Sequence, residues 1–259
     1  MNNQQLRLNK FLAERLGVSR READELISAG KVTVDGSKAI LGTKIDEKSK
    51  IFCNNKEVSF QNEYIYIAFH KPVGYVCSRR AQGDAPTLYD LLPKKYHHLK
   101  TVGRLDKNSS GLILLTNDGD FAFQMTHPKF RKNKVYEVEL DKPLEPLHQQ
   151  MISDHGIEIG DGVSRFKIIK NEPAISLSRE FRSRYEDLVT SPLKTGARSD
   201  PRKTVSQVRY TVILSEGRNR QIRRTFAALG YEVTKLHRTQ FGKYELGDLK
   251  PGKCVIIKP

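Results

Sequence analysis

The stretch that decides the fold runs from residue 103 to residue 116 and reads GRLDKNSSGLILLT. Its glycines and polar residues predict a turn over Gly103–Gly111, and the apolar run Leu112–Leu115 that follows predicts a buried strand. Side chains on turns that a rigid strand supports are often catalytic, and Asp106 is the only carboxylate in this stretch. Asp106 is therefore a candidate catalytic residue, although turns also favour aspartate for capping their own backbone.

Strands dominate the sequence on both sides of this turn. Alternating or continuous apolar runs predict strands at Tyr64–Phe69, Lys134–Leu140, Gln207–Leu214 and Tyr231–Leu236. Helices are fewer, and they are predicted at Pro143–Ile152 and in a segment that Asn219 caps and Gly230 ends. Because strands and helices do not alternate regularly, the pattern predicts an α+β domain on a mixed, mainly antiparallel sheet. We place this domain at residues 61–259, with a long mobile insertion at residues 171–205, which are rich in proline and charge.

A smaller module precedes that domain. Apolar residues at helical spacing predict a first helix that Gly17 ends, and Ser19-Arg20-Arg21-Glu22 reads as a capping box that begins a second helix. Gly30 ends the second helix, and an alternating strand before Asp35-Gly36 predicts a tight hairpin. Residues 1–60 are thus predicted to form a helix-rich module of two short helices and a small sheet.

The charge of the chain points to a polyanion. Its 45 Lys and Arg residues outnumber its 30 Asp and Glu residues and give a net charge of +15, and the commonest polyanion of a cytoplasm is RNA. The alternative to RNA binding is that the positive charge serves solubility or attracts acidic lipid. Candidate RNA-binding residues on the polar side of the small module are Arg7, Lys10, Arg20, Arg21 and Lys31. Arg20 and Arg21 lie where a helix start favours anions, so they can hold a phosphate, unless they form an ordinary solvated face.

A second basic cluster lies at residues 217–224, which read GRNRQIRR. Cations at a helix start oppose the helix dipole, so an anion or a buried carboxylate explains this cluster better than an exposed basic helix, which stays the alternative. We predict RNA-binding roles for Arg218, Arg220 and Arg224.

Several classes of protein are disfavoured by the sequence. No apolar run approaches the roughly 20 residues of a membrane helix, and the N-terminal MNNQQ lacks the apolar core of a signal peptide. We therefore expect a cytoplasmic protein with no membrane partner. Cys53, Cys77 and Cys254 lie far apart, and no His or Cys cluster has the spacing of metal ligands, so we predict reduced cysteines and no metal. The absence of a G-x-G-x-x-G and of a Walker sequence predicts that no nucleotide cofactor is bound.

Taken together and in order, these segments resemble the ribosomal pseudouridine synthases of the RsuA/RluB family. The first module resembles the S4-type RNA-binding domain that precedes the catalytic domain in that family. HKPVGYVCS at residues 70–78 resembles the lysine-proline-glycine motif, and residues 103–119 resemble the catalytic motif. KVY at residues 134–136 resembles the segment of the active-site tyrosine, and residues 217–224 resemble the motif of the active-site arginine. The resemblance covers nearly the whole chain, and only residues 171–205 depart from it by being longer and more basic.

The resemblance implies three catalytic residues. Asp106 corresponds to the nucleophile, Arg223 to the arginine that keeps this carboxylate ionised, and Tyr136 to the ring that stacks on the target uracil. Three chemical routes stay open for Asp106: attack at C1′ of the sugar, assistance to base departure followed by proton removal from the sugar, and addition to the base.

The resemblance also implies three substrate-binding residues. Arg104 corresponds to the arginine that fills the gap left in the RNA by the extruded nucleotide. Ile222 is expected to line the uracil pocket, and Lys71 is expected to support the catalytic turn.

The resulting interpretation is an isomerase that converts a specific uridine of ribosomal RNA to pseudouridine, as a monomer and without a cofactor. The RNA is expected free or in an assembling subunit. A non-catalytic RNA-binding or ribosome-assembly protein on the same scaffold is the alternative. A glycosidase is disfavoured because it normally needs two carboxylates. Features of small-subunit and large-subunit enzymes both occur, and we favour the large subunit slightly.

Overall fold

The computed structural model describes residues 5–60, 63–79, 83–171 and 208–259. The insertion predicted at residues 171–205 lies outside the described residues, apart from Asn171. The chain divides into two compact units, Met1–Lys134 with Arg238–Pro259, and Val135–His237. The boundary predicted between residues 60 and 61 stays a prediction, and the two units are described separately.

The elements are short and of both kinds, as the sequence predicts for an α+β protein. The helices are α1 (Leu8–Arg15), α2 (Arg20–Ser28), α3 (Gly119–Thr126), α4 (Pro146–Gln150) and α5 (Gln221–Ala228). The strands are β1 (Leu6–Arg7), β2 (Val32–Val34), β3 (Ser37–Lys38), β4 (Lys44–Ile45), β5 (Ile51–Cys53), β6 (Lys56–Glu57), β7 (Tyr66–Lys71), β8 (Lys100–Val102), β9 (Ser110–Thr116), β10 (Lys134–Leu140), β11 (Ile157–Glu158), β12 (Val163–Ser164), β13 (Lys167–Asn171), β14 (Arg209–Leu214), β15 (Val233–Phe241), β16 (Tyr244–Glu245) and β17 (Cys254–Ile256).

The N-terminal part of the first unit folds as the local signals predict. The capping box is present, because the Ser19 hydroxyl accepts from the Glu22 N–H at 3.1 Å and the Glu22 carboxylate accepts from the Ser19 N–H at 2.6 Å. Gly30 ends α2 with a φ of +66°, a left-handed conformation that glycine adopts at little cost. Antiparallel pairs join β2 to β3 and β5, β5 to β6, and β1 to β4. Both helices bury their apolar face in one core, in which Phe11 and Leu12 are fully buried.

The rest of the first unit is built on three long-range strand pairs. β7 pairs antiparallel with β9 and with β17, and β8 pairs antiparallel with β9. The register of β7 and β9 sets Lys71 opposite Gly111, so the end of one strand lies beside the start of the other. Leu112 and Leu114 of β9 are fully buried in a core shared with Met125 of α3. This packing gives the turn before β9 a rigid support.

The described part of the second unit is a small sheet with two α-helices. Its strand order is β13–β14–β10–β15, with β13 and β14 antiparallel, and β15 runs on into the first unit. Tyr210, Val212 and Leu214 are buried on one face of β14, as the alternation predicts. The helix predicted at Pro143–Ile152 begins at Pro146, a residue favoured at the first helical position, and continues as a π-turn over Met151–His155.

No helix among residues 5–60, 63–79, 83–171 and 208–259 is long and apolar enough to cross a membrane.

Candidate active site

The turn between β8 and β9 carries Asp106 and is closed by its own backbone. The Ser109 N–H donates to the Asp106 carbonyl at 3.0 Å, and the Gly74 N–H donates to the Lys107 carbonyl at 2.8 Å. Gly111 ends the turn with a φ of +110°, and a Cβ at this position would overlap the backbone of Arg238. Glycine is therefore required here by both conformation and space.

Lys71 fixes the turn through hydrogen bonds to backbone carbonyls. Its side chain is fully buried, and its Nζ donates to the carbonyls of Ser109 at 2.6 Å and Pro72 at 2.9 Å, with a longer contact to Lys107 at 3.5 Å. Burial lowers the pKa of Lys71 to about 8, against the opposing effects of Cys77 and of the Asp106 carboxylate. A buried cation thus ties the backbone that follows Asp106, at Lys107 and Ser109, to Pro72.

Cys77 and Arg238 complete the support of the turn. The Leu105 N–H donates to Cys77 Sγ and Cys77 Sγ donates to the Leu105 carbonyl, both at 3.3 Å. Burial raises the pKa of the Cys77 thiol, so the thiol stays protonated and able to donate. Arg238 is 2% exposed, and its Nε donates to the Leu112 carbonyl at 2.7 Å. Asp106 itself is half-buried and Arg104 is exposed, and both side chains stand on this fixed backbone.

The other three candidate residues lie in the second unit. Tyr136 is on β10 and is 8% exposed, and Ile222 is buried near the start of α5. Arg223 is half-buried, and its Nη1 donates to the Val233 carbonyl at 2.6 Å. The structure thus places Arg104 and Asp106 on one turn, with Lys71 bonded to the backbone of that turn. The pairing of Asp106 with Tyr136 and Arg223 stays a prediction.

The basic cluster at residues 217–224 contains a carboxylate clamp. Arg224 Nη1 and Nη2 donate to the two Asp161 carboxylate oxygens at 2.9 and 3.0 Å. Arg218 donates to the carbonyls of Gly162 at 2.9 Å and Val163 at 2.7 Å. The Arg224 guanidinium lowers the pKa of the Asp161 carboxyl. The sequence offers an anion or a buried carboxylate as the explanation for these arginines. The carboxylate that Arg224 contacts, Asp161, is exposed rather than buried, and the contact of Arg218 and Arg224 with RNA stays a prediction.

The start of α5 differs from the prediction. The capping residue is Arg220, in a left-handed conformation with a φ of +47°, and the cap predicted at Asn219 is wrong. The Asn219 carbonyl instead accepts from Arg224 Nη1 at 3.2 Å, so the arginine clamp sets the helix start.

The cations of the small module are mostly available to a ligand. Arg7, Arg20, Arg21 and Lys31 are exposed. Lys10 differs, because its Nζ forms an ion pair with Asp120 at 2.5 Å. The Ser19 capping box already satisfies part of the α2 start, so a phosphate there would bind mainly through the side chains of Arg20 and Arg21.

Within the described ranges there is no group of three or more His, Cys, Asp or Glu residues that could hold a metal ion. Cys53, Cys77 and Cys254 are free thiols.

Family models match both parts of the chain. The S4 domain model matches residues 6–51, so the first module is an S4 domain. The model described as RNA pseudouridylate synthase matches residues 65–228. The chain belongs to the RNA pseudouridylate synthase family, and it is therefore an isomerase. The resemblance and the fold class inferred from the sequence are confirmed.

Similar proteins cover nearly the whole chain. Ribosomal small subunit pseudouridine synthase A of Pasteurella multocida is 31% identical over 94% of this chain and 91% of its own length. Ribosomal large subunit pseudouridine synthase B of Bacillus subtilis is 32% identical over 98% of this chain and 92% of its own length. A crystal structure of a pseudouridylate synthase is 27% identical, with a TM-score of 0.60 over 98% of this chain and 96% of that one.

Sequence reasoning missed two supports of the turn. Arg238 lies 126 residues from Leu112 in the chain, and no local pattern marks a buried arginine of this kind. Helix α3 was also missed, although Asp118 signals it: the Asp118 carboxylate accepts from the N–H groups of Asp120 at 2.9 Å and Phe121 at 3.0 Å.

Proposed function

We propose that this chain converts one specific uridine of ribosomal RNA to pseudouridine, with Asp106 as the nucleophile. The observation that carries the proposal is the Asp106 turn, which the buried cation Lys71 ties to β7 in a chain of the RNA pseudouridylate synthase family. The names of the relatives support ribosomal RNA as the substrate.

The reaction requires an ionised carboxylate in a fixed position. The bond between N1 and C1′ breaks, the uracil turns, C5 bonds to C1′, and the C5 proton leaves while N1 gains a proton. No net redox change or group transfer occurs, so the chemistry itself calls for no cofactor. Each of the three routes open to Asp106 needs the carboxylate charged and held in place, and the hydrogen bonds of Lys71 to the turn fix the backbone that carries it.

The second unit is proposed to complete the site. Arg223 pairs with Asp106 in this proposal, and the bond to the Val233 carbonyl restricts the directions that its guanidinium can take. Tyr136 stacks on the uracil and Ile222 lines its pocket. Arg104, which is exposed on the turn, fills the gap left in the RNA when the uridine is extruded.

The S4 domain is proposed to bind the RNA backbone. Exposed Arg7, Arg20, Arg21 and Lys31 offer cations for phosphates, while Lys10 must first leave Asp120. The target is proposed to be a loop or bulge, because RNA sequence is read mostly in unpaired regions. We keep a slight preference for the large subunit, and we propose a cytoplasmic monomer.

The test uses transcripts of both ribosomal RNAs that carry tritium at uracil C5. The purified protein is expected to release tritium from one of the two transcripts, up to one equivalent, and mapping of the product gives the position. Asp106→Asn is expected to release none while binding the same transcript. Release from neither transcript, with binding retained, would instead favour a non-catalytic RNA-binding protein.

A further inference from the structure

A cavity of about 520 Å³ lies in the first unit, apart from the catalytic turn. Four parts of the chain line it: α3, residues 130–133, the turn at residues 242–244, and Pro259. None of the residues assigned above to catalysis or to RNA binding belongs to this lining.

The walls of the cavity are aromatic. The rings of Phe121 and Tyr244 meet edge to face, with centroids 6.0 Å apart, and both belong to the lining. Phe130 contributes a third ring that is 37% exposed and packs edge to face on Phe123 at 5.8 Å. Packing therefore fixes the rings before any ligand binds. Lys129 Nζ lies over the Phe130 ring at 4.7 Å from its centroid, and the part of this ring that stays exposed offers a surface on which a flat ligand can stack.

The charged part of the lining is positive. Arg131, Lys132 and Lys243 contribute cations, and the lining, all of it within the described residues, contains no acidic side chain. Lys243 Nζ already donates to the Pro259 carbonyl at 2.8 Å. The side chains of Arg131 and Lys132 form no hydrogen bond or ion pair with the part of the chain that the structure describes. Cations of this kind beside exposed rings fit a ligand that combines an anion with an aromatic group.

Helix α3 connects the cavity to the catalytic turn. Phe121, Gln124 and Met125 of α3 line the cavity. Thr126, the last residue of the same helix, packs on the start of the turn, because its Cγ2 lies 3.5 Å from the Cβ position of Gly103. An RNA strand that presents a uridine to Asp106 can therefore continue along α3 to the cavity.

We propose that this cavity is a second subsite for RNA, which holds one unpaired nucleotide of the strand that carries the target uridine. Its base stacks on Phe130 against the wall of Phe121 and Tyr244, and its phosphate binds Arg131 and Lys132. Gln124 and Asn133, which also line the cavity, offer amide groups to the edge of the base. The inference rests on the proposed function and adds to it a site that selects single-stranded RNA next to the target.

The chain contains no tryptophan, so Phe130→Trp introduces a single fluorescent reporter at the cavity. The probe is an oligouridylate of about 12 nucleotides, long enough for stacking on an exposed ring. Its binding is expected to quench the indole fluorescence of this variant saturably, and adding Arg131→Ala and Lys132→Ala is expected to weaken that binding about tenfold. Leu147→Trp, at a site that is 63% exposed in the second unit, is the matched control and is expected to change little.

The proposal is overturned if the fluorescence of Phe130→Trp stays constant while filter binding shows the oligonucleotide bound. A second measurement uses turnover: Phe130→Ala is expected to raise KM about tenfold at unchanged kcat, and Phe130→Tyr, which keeps the ring, is expected to restore KM. Unchanged KM in Phe130→Ala with normal pseudouridine formation would reject the subsite and leave the proposed function standing. Quenching without any pseudouridine formation would reject the proposed function and leave the subsite standing.

Discussion

The catalytic turn and the arginine cluster at residues 217–224 both stand out in the sequence, but the structure uses their charges differently. At the turn, the buried cation Lys71 binds backbone carbonyls, Arg104 is exposed and Asp106 is half-buried. In the cluster, Arg218 and Arg224 are themselves engaged by the segment around Asp161. The number of cations in a sequence cluster therefore does not give the number available to bind RNA. A carboxylate distant in sequence can form an ion pair with some of them.

Lys71→Met is expected to have the largest effect on activity of the substitutions that test this difference between the turn and the arginine cluster. The substitution leaves the carbonyls of Ser109 and Pro72 without their donor, which lowers the free energy of unfolding by about 1–3 kcal/mol. A shift of the turn by about 1 Å lowers single-turnover pseudouridine formation about 100-fold. Denaturant unfolding and single-turnover tritium release measure the two effects.

The matched control is Lys100→Met. Lys100 is half-buried in the first unit, and its Nζ donates to the Val18 carbonyl at 2.8 Å, away from the turn. The Lys100→Met variant is expected to be less stable than the wild type and to keep its single-turnover rate. Equal single-turnover rates in Lys71→Met and Lys100→Met would contradict the role of Lys71 as the support of the turn.

The next largest effect concerns Arg20 and Arg21, which form no ion pair with a carboxylate among the residues that the structure describes. Arg20→Ala with Arg21→Ala is expected to weaken RNA binding about tenfold and to make the salt dependence shallower by about 1.4, since each lost phosphate contact counts about 0.7 for single strands. Filter binding over a range of salt measures the slope. Lys48→Ala with Lys50→Ala removes two exposed charges of the same domain and is expected to change the slope less. An unchanged slope in the arginine variant would reject the phosphate-binding role of α2.

The pH dependence separates activity from stability at the turn. Burial lowers the pKa of Lys71 from 10.5 to about 8, so Lys71 loses its charge above pH 8 and the turn loses one N–H donor. Pseudouridine formation is expected to fall with an apparent pKa near 8. The unfolded chain binds more protons than the folded chain between pH 8 and 10.5, so the Lys71 contribution to stability rises with pH in that window. This contribution is measured as the difference in the free energy of unfolding between wild type and Lys71→Met at several pH values. If that difference does not change with pH, the lowered pKa of Lys71 is contradicted.

The smallest effect is expected from Asp161→Ala. The substitution releases Arg224 and loosens Arg218, so RNA affinity rises slightly and the salt slope steepens by about 0.7 for each arginine that gains a phosphate. Asp161→Asn, which keeps the shape and removes the charge, is expected to behave similarly. Weaker RNA binding in both variants would mean that the clamp prepares the arginines for RNA rather than withholding them.

The sequence predicted those features that short segments encode. The Ser19 capping box, the Asp35-Gly36 hairpin and the buried face of β14 depend on residues within a few positions of one another, and all three are present. The resemblance identified the Asp106 turn because its motif is contiguous. The Asp161 clamp joins residues 63 positions apart. Nothing in the sequence around Asp161 marks it as the partner of Arg224, so only the folded chain shows the contact.

The central claim is that an ionised carboxylate at position 106, held by the turn, is required for isomerisation. The most direct measurement compares the single-turnover rates of Asp106→Asn and Asp106→Glu at saturating protein, with melting temperatures as the check on folding. No detectable product is expected from Asp106→Asn. A loss of about 100-fold is expected from Asp106→Glu, because its carboxylate is displaced by roughly 1 Å. Pseudouridine formation by Asp106→Asn at a rate near that of the wild type would contradict the role of the Asp106 carboxylate.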